Sequence, residues 1–196
     1  MSDKGDDARR RIVAGAADLL GRRGPGATSI RETARHAGAP LGSTYHYFPG
    51  GKDELLAEAV RHAGATVAAG LRRALREGPE QGLRSYLALW RSLLVEGDFR
   101  AGCPVLAVAV QEPGREGPSP ALEAAAEAFD TWQGLLEGSL REHGVPDGEA
   151  GEVAALAVAA AEGAVALCRA RRTTDALDAV EARLGALIRA ATAGRP

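Results

Sequence analysis

The sequence is poor in residues that form covalent or metal cross-links, and it contains few aromatic side chains. It has two cysteines, one methionine, two tryptophans, three tyrosines and three phenylalanines among 196 residues. Cys103 and Cys168 are far apart and have no metal-ligand spacing, so they predict neither a disulfide framework nor a zinc site, and we expect both in the core. No histidine forms an i, i+4 ligand pair with another histidine or cysteine, so we expect no metal or other cofactor.

Long apolar runs and catalytic motifs are also scarce. The longest apolar candidate, Val153 to Cys168, is short, rich in alanine and interrupted by Glu162, which disfavours a membrane span. The first residues, MSDKGDDARRRIV, lack the apolar stretch of a secretion signal. We find no nucleophile with its base, no phosphate-binding loop and no paired catalytic carboxylates. These features predict a cytoplasmic protein that is not an enzyme and has no membrane partner.

Glycine and proline divide the chain into segments of helical length, and no segment alternates β-branched residues with period two. This pattern predicts an all-α fold of about nine helices. We expect helices over residues 7–23, 29–36, 41–47, 52–77, 79–96, 103–110, 120–143, 148–172 and 175–193, with a loop over 112–120. The long fourth helix would join an N-terminal domain of residues 1–51 to a C-terminal body of residues 52–196.

Residues 29–47 contain the first chemically specific signal. The Ser29 hydroxyl is placed to accept the backbone N–H of Glu32, which starts one short helix. Gly38 and Pro40 then allow a tight turn into a second short helix that begins at Leu41. Two short helices joined in this way have the dimensions of a helix-turn-helix, whose second helix lies in the major groove of DNA.

The stretch TSIRETARHAGAPLGSTYHYFPGGKDELL, residues 28–56, resembles the DNA-binding domain of the TetR family of one-component repressors. The similar motifs are Ala-x-x-Ala-Gly at the turn, Gly-Ser-x-Tyr-His-Tyr-Phe in the second helix and Lys-x-x-Leu in the long helix. Phe-Pro-Gly-Gly-Lys, Cys-Pro-x-Leu at 103–106 and Glu-Gly at 162–163 are similar to the lincomycin-resistance and flavonoid-responsive subgroup. The resemblance implies a homodimer that binds successive major grooves of double-stranded DNA and releases it when a small molecule binds the helical body.

Candidate DNA contacts follow from the position of the second short helix in a groove. Residues near its start face base edges, and later residues face phosphates and sugars. We predict Leu41 and Gly42 at the bases, and the following residues at the backbone: Thr28, Ser29, Ser43, Tyr45, His46, Tyr47 and Lys52. The alternative is that the aromatic residues are core residues of a small helical domain, and for Phe48 we favour that interpretation. Thr44 departs from the family pattern, because leucine or isoleucine usually packs inward there.

The remaining aromatic residues lie between residues 86 and 132 and suggest an effector site. Aromatic walls with few polar groups bind flat apolar ligands, although core packing is the commoner role. Glu162 interrupts an apolar helix where a buried carboxylate is costly, so we place it in the pocket rather than on the surface or at an interface. The predicted contacts with a small apolar or aromatic effector are Tyr86, Trp90, Cys103, Phe129, Trp132 and Glu162.

The last two helices carry apolar residues at helical spacing, which a two-fold partner could cover as a four-helix bundle. The alternative is burial within one chain. Because the resemblance implies a dimer, we predict an interface formed by Leu156, Ala160, Ala164, Leu177, Val180, Leu184, Leu187 and Ile188.

The function predicted from these features is that of a ligand-responsive transcriptional repressor. It would bind a near-palindromic operator as a homodimer and leave it when a small hydrophobic effector binds. The alternative is a DNA-binding regulator without such an effector, controlled by a partner or acting architecturally.

Overall fold

The computed structural model describes residues 3–111 and 119–193, and every regular element in these ranges is helical. The α-helices are α1 Asp3–Arg23, α2 Ile30–His36, α3 Leu41–Tyr47, α4 Gly51–Ala74, α5 Pro79–Glu96, α6 Pro104–Ala109, α7 Pro120–Glu142, α8 Asp147–Arg171 and α9 Asp175–Thr192. Short 3₁₀ turns lie at Pro25–Ala27 and Leu75–Glu77. The predicted all-α class is confirmed. Most of the predicted 112–120 loop lies outside the described residues.

Polar caps explain several of these helix boundaries. The Ser29 hydroxyl accepts the backbone N–H of Glu32 at 3.2 Å, as predicted, and Ser119 accepts that of Leu122 at 3.3 Å. Gly38 takes a φ of 60° in the turn between α2 and α3, where a side chain would be strained. Thr174 stands at the start of α9, where its polar side chain would be expected to cap the helix, but its hydroxyl contacts the Asp178 carboxylate at 3.5 Å and makes no cap hydrogen bond.

The described residues form two compact units. The first lies within residues 1–65 and 103–128, and the second within residues 66–102 and 129–196, so α4 and α7 each contribute to both. In the first unit α1 packs on α2, α3 and α6, around Ile12, Leu20 and Phe48. These units group residues by contact, whereas the predicted division at residue 51 is a functional one and stays a proposal.

The second unit is built on α5, α8 and α9, which pack on one another. Helix α8 is long and apolar enough to cross a membrane by length and composition, and half of its apolar stretch is buried in the protein. A core helix passes the same test, so the composition alone is weak evidence for a membrane span. Its apolar character on several faces indicates instead that α8 supplies the core on one side and an exposed apolar surface on another.

Three non-glycine residues with positive φ meet in one place in the second unit. Asp98, Phe99 and Arg172 have φ values of 50°, 54° and 55°. The Arg172 guanidinium donates to the Asp98 carboxylate at 2.6 Å and to its carbonyl oxygen at 3.1 Å, and it lies 5.8 Å from the centre of the Phe99 ring. Arg172 thus ends α8 in a conformation that favours glycine, and its side chain holds the turn after α5.

We expect Arg172→Ala to lower stability and Arg172→Gly to be less harmful. Both variants lose the guanidinium contacts, but glycine removes the left-handed backbone strain, which amounts to about 1 kcal/mol. The glycine variant should therefore be about 1 kcal/mol more stable than the alanine variant in urea unfolding. Arg171→Ala, on the preceding helical and exposed residue, is the control, and equal stability of the alanine and glycine variants would contradict the strain argument.

Candidate DNA-binding surface and effector site

Helix α3 has one face in the core of the first unit and one face in solvent. Thr44 is fully buried and donates its hydroxyl to the Pro40 carbonyl oxygen at 3.1 Å, and Phe48 is fully buried at the end of the helix. The solvent face carries Gly42, Ser43, Tyr45 and His46, and Leu41 is half-buried beside it. A threonine is thus tolerated where leucine or isoleucine usually packs inward, because its buried hydroxyl has a hydrogen-bond acceptor at the start of its own helix.

The start of α3 is open to an incoming molecule. Apart from its chain neighbours and the backbone of α3 itself, no described atom lies within 4 Å of the place that a Cβ atom on Gly42 would occupy, and Gly42 is exposed. Because a side chain is absent there, a DNA backbone or base edge is able to approach the helix closely. This openness agrees with the position predicted for Gly42.

The aromatic residues of α3 divide into exposed and buried ones. Tyr45 is 55% exposed, whereas Phe48 is buried with the Arg9 guanidinium 5.3 Å from its ring centre. Tyr47 is half-buried; its ring meets that of His46 edge-on at 5.8 Å, and its hydroxyl lies 3.5 Å from where a Cβ atom on Gly5 would be. The core role predicted for Phe48 is confirmed, and a core role for Tyr45 is excluded.

Thr28 differs from the prediction. Its side chain is fully buried, and its hydroxyl donates to the Gly24 carbonyl oxygen at 2.9 Å, which stabilises the turn between α1 and α2. A threonine used in this way does not offer its hydroxyl to a phosphate, so the predicted Thr28 contact was wrong. Ser29, which follows it, is half-buried and caps α2.

Among the described residues of the first unit, few cations are left without an ion pair to bind phosphate. Most of its arginines form ion pairs: Arg9 with Glu58 at 3.2 Å, Arg22 with Asp18 at 2.8 Å, Arg35 with Glu32 at 2.7 Å, Arg61 with Glu58 at 3.6 Å, and Arg10 with Asp7. The hydrogen bond and charge of Arg35 also lower the pKa of the Glu32 carboxyl. Among the described residues, the exposed Lys52, Arg31 and Arg11 have no ion-pair partner.

Arg31 is a candidate contact that the sequence analysis missed. It is exposed in the first turn of α2, two residues after the Ser29 cap. A positive charge there is unfavourable for the helix dipole, so the residue contributes nothing to helix stability through its charge. That mismatch between residue type and position is the signal that could have identified it.

Four aromatic residues predicted for the effector site come together in the second unit. The ring centres of Tyr86, Trp90 and Trp132 are 6.1 Å apart in each pair, and Phe129 lies 5.4 Å from Trp132, all in edge-to-face geometry. Tyr86, Trp90 and Trp132 are at most 2% exposed. The spacings of four residues on α5 and three residues on α7 therefore place these side chains in a single cluster.

The two polar candidates lie in different units. Glu162 is 5% exposed on α8, so the predicted placement of its carboxylate away from the surface agrees with the structure. Cys103 is buried in the first unit, where its Sγ accepts the backbone N–H of Leu106 at 3.4 Å and caps α6. The ligand contacts predicted for both residues stay predictions.

The predicted dimer surface is only partly exposed. Leu156 and Leu187 are 50% and 38% exposed, and Ala160 and Val180 are half-buried. Four predicted interface residues were placed wrongly, because α8, α9 and α5 pack together and bury them within the chain: Ala164, Leu177, Leu184 and Ile188. Leu167, which the prediction omitted, is 46% exposed on α8.

Comparison with known proteins places these features in a family. The family model described as bacterial regulatory proteins, tetR family, matches residues 12–59, and that of the LmrA/YxaF-like transcriptional regulator C-terminal domain matches residues 79–183. An HTH-type transcriptional regulator of Mycobacterium tuberculosis is 43% identical over 183 residues, covering 92% of this chain and 93% of that one. The HTH-type transcriptional regulator LmrA of Bacillus subtilis is 28% identical over 163 residues, covering 82% and 86%.

Solved structures show the same fold. A TetR transcriptional regulator from Legionella pneumophila superposes with a TM-score of 0.80 at 19% identity, covering 90% of this chain and 95% of that one. The regulatory protein TetR from Rhodobacter sphaeroides gives a TM-score of 0.77 at 21% identity, covering 91% and 97%. From its helix-turn-helix, its all-helical fold and these matches, we conclude that the chain belongs to the TetR family of transcriptional regulators and has an LmrA/YxaF-like C-terminal domain.

Proposed function

We propose that the protein is a ligand-responsive transcriptional repressor that acts in the cytoplasm. It binds a near-palindromic operator as a homodimer and is released by a small apolar or aromatic effector. The observation that carries the proposal is the solvent face of α3, where the open start at Gly42 is followed by exposed Ser43, Tyr45 and His46. In this arrangement Leu41 and Gly42 meet base edges, and Ser29, Ser43, Tyr45, His46, Tyr47, Lys52 and Arg31 meet the sugar-phosphate backbone.

The homodimer is supported by the exposed apolar residues of α8 and α9. Leu156, Leu167 and Leu187 present branched apolar side chains to solvent, which is unfavourable unless a partner covers them. In a two-fold interface each residue is used twice, and two helices from each chain form a four-helix bundle. A symmetric dimer then reads an operator with matching symmetry.

The effector response is supported by the aromatic cluster and the buried Glu162 in the second unit. An effector releases DNA only if it binds the DNA-incompetent conformation more tightly than the competent one. Helix α4 is continuous from Gly51, next to Lys52, to Ala74, so it provides a covalent path along which the two units respond to each other. Release follows when effector binding changes the spacing of the two DNA-binding heads.

Operator selection from random DNA tests the proposal directly. The purified protein should enrich a sequence with two inverted half-sites about one helical turn apart. Selection repeated with a panel of flat hydrophobic compounds should identify at least one that reduces recovery of that sequence. Enrichment of no common sequence would contradict specific operator binding.

A regulator without an effector is the alternative, and the tight packing of the cluster favours it. Tyr86, Trp90 and Trp132 make edge-to-face contacts with one another, as they would in an ordinary core. A protein of this kind would enrich an operator in the selection, but no compound in the panel would change its recovery.

We expect Lys52→Ala to weaken binding to all DNA sequences by a similar factor and to reduce the slope of log K against log salt by about 1. Tyr47→Phe should weaken binding without changing the slope, because it removes a hydroxyl and no charge. Arg61→Ala is the control, since Arg61 is paired with Glu58. Salt titrations on selected and random DNA measure both effects, and unchanged affinity in both variants would remove Lys52 and Tyr47 from the contact surface.

We expect Glu162→Gln to weaken effector binding about tenfold while operator affinity without effector is kept. Glu162 is buried in the second unit, and a hydrogen bond that an effector donates to a carboxylate is stronger than one donated to the neutral amide of glutamine. Glu152→Gln, at an exposed position on the same helix, is the control. Calorimetric titration with the best compound of the panel measures the effect, and equal affinity of wild type and Glu162→Gln would exclude Glu162 from the site.

A further inference from the structure

The indole nitrogen of Trp90 is a buried donor in the centre of the aromatic cluster. Trp90 is 1% exposed, and its Nε1 atom has no hydrogen-bond acceptor among the described residues. Most buried polar groups in proteins have a partner, so a buried N–H without one requires an explanation. The atom lies on a side chain that contacts both Tyr86 and Trp132.

Packing alone does not require tryptophan at this position. The edge-to-face contacts with Tyr86 and Trp132 need an aromatic ring, and phenylalanine supplies one without a buried donor. The indole N–H therefore adds an unfavourable desolvation that the core contacts do not compensate. A molecule that brings a hydrogen-bond acceptor to Nε1 therefore binds more tightly than it would if position 90 were phenylalanine, which has no donor.

We propose that Trp90 selects the effector: its Nε1–H donates a hydrogen bond to an uncharged oxygen acceptor on a flat apolar ligand. This inference rests on the proposed effector function. The acceptor is uncharged because the Trp90 side chain is 1% exposed, and a charged group brought to so buried a position would lose its hydration without an opposite charge to compensate. A site built around such a donor discriminates against ligands that lack the acceptor.

Matched pairs of flat compounds that differ by one carbonyl oxygen test the proposal. The pairs are 9-fluorenone and fluorene, xanthone and xanthene, and anthrone and 9,10-dihydroanthracene. We expect a ketone to bind the full-length protein about tenfold more tightly than its partner. The preference should disappear in Trp90→Phe and persist in Trp132→Phe, which is the matched control from the same cluster.

The chain contains two tryptophans, so the indole N–H groups give a direct spectroscopic readout. In ¹⁵N-labelled protein, Trp132→Phe assigns the two indole signals. The ketone should move the Trp90 indole proton downfield, and its hydrocarbon partner should not. The titration uses the wild-type protein and needs Trp132→Phe only for the assignment, so it decides the question even if Trp90→Phe does not fold.

The outcomes separate this inference from the proposed function. The donor role of Trp90 would be wrong if a ketone and its partner bound with equal affinity, or if the preference for the ketone persisted in Trp90→Phe. Either result would still be compatible with an effector site at the aromatic cluster. If none of the six compounds binds up to its solubility limit while a compound from the operator-selection panel does bind, the donor role is wrong and the effector function is kept. If no compound of either set binds, both the donor role and that part of the proposed function are wrong.

Discussion

Replacing Gly42 by leucine is expected to abolish specific DNA binding while the fold and its stability are kept. A Cβ atom at Gly42 would meet no described atom within 4 Å, so the larger side chain projects into solvent. Leucine also favours the helical conformation over glycine by about 1 kcal/mol, which should offset the cost of exposing an apolar side chain. The stability of the variant should therefore equal or exceed that of wild type.

DNA binding responds differently because the same space is occupied by the duplex in the proposed complex. A leucine at the start of α3 would hold the helix away from the base edges. The distances between the bases and the residues on either side of the leucine would therefore increase together. Loss of several base contacts at about 1–3 kcal/mol each corresponds to an affinity reduced by a factor of about 100 or more. Non-specific binding, which depends on phosphates, should fall much less.

Gly134→Leu is the matched control for this variant. Gly134 is also helical and exposed, and a Cβ atom there meets no described atom within 4 Å, but it lies on α7 in the second unit. Electrophoretic mobility shifts with the selected operator and thermal unfolding compare the three proteins. Normal operator affinity of the Gly42→Leu protein would show that the start of α3 is not against DNA.

The double substitution Leu156→Glu and Leu187→Glu is expected to convert the protein to a monomer that does not bind its operator. The two leucines are half-exposed or nearly so on α8 and α9 of one chain, and a two-fold interface would bury four of them. Full burial of a leucine contributes about 1.5–3 kcal/mol, and because each of the four is only about half exposed, together they contribute about 3–5 kcal/mol, so the Kd of the dimer should rise by at least about a hundredfold. Introduced carboxylates that face each other add repulsion to this loss.

Leu89→Glu distinguishes this effect from a general response to surface charge. Leu89 is 40% exposed, close to the 38% of Leu187, but it lies on α5 and outside the proposed interface. Sedimentation equilibrium should give a dimer for wild type and Leu89→Glu and a monomer for the double variant. A double variant that remains dimeric would place the interface elsewhere on the chain.

The helices could be predicted closely from the sequence because their ends carry local signals. Ser29 and Ser119 cap helices through their own hydroxyls, and α5 and α9 end within a residue of the predicted positions. Phe48 was predicted in the core because it ends α3 without a polar atom, and it is fully buried, whereas Tyr45, predicted to face DNA, is exposed. These features depend on residues near one another in the chain.

The errors concern side chains whose environment depends on distant parts of the chain. Periodicity placed Leu177, Leu184 and Ile188 on an apolar face of α9. It could not show that the packing of α9 on α5 and α8 buries that face within a single chain. Thr28 is a polar residue close to the start of a helix, a position that favours a phosphate contact. Its hydroxyl instead donates a hydrogen bond to the carbonyl oxygen of Gly24. Likewise, no local pattern indicates that Arg172 reaches Asp98 or that Trp90 Nε1 lies without an acceptor among the described residues.

If the protein acts as proposed, the internal pairing of arginines in the first unit should affect how it searches a chromosome. Because Arg9, Arg22, Arg35 and Arg61 are paired with carboxylates, we expect them to displace few condensed counterions when the protein meets a random sequence. Residence on such sites should be brief, so the protein would sample DNA by repeated short encounters rather than by long sliding. Once released by an effector, it would diffuse away, and transcription would resume without a lag from rebinding nearby.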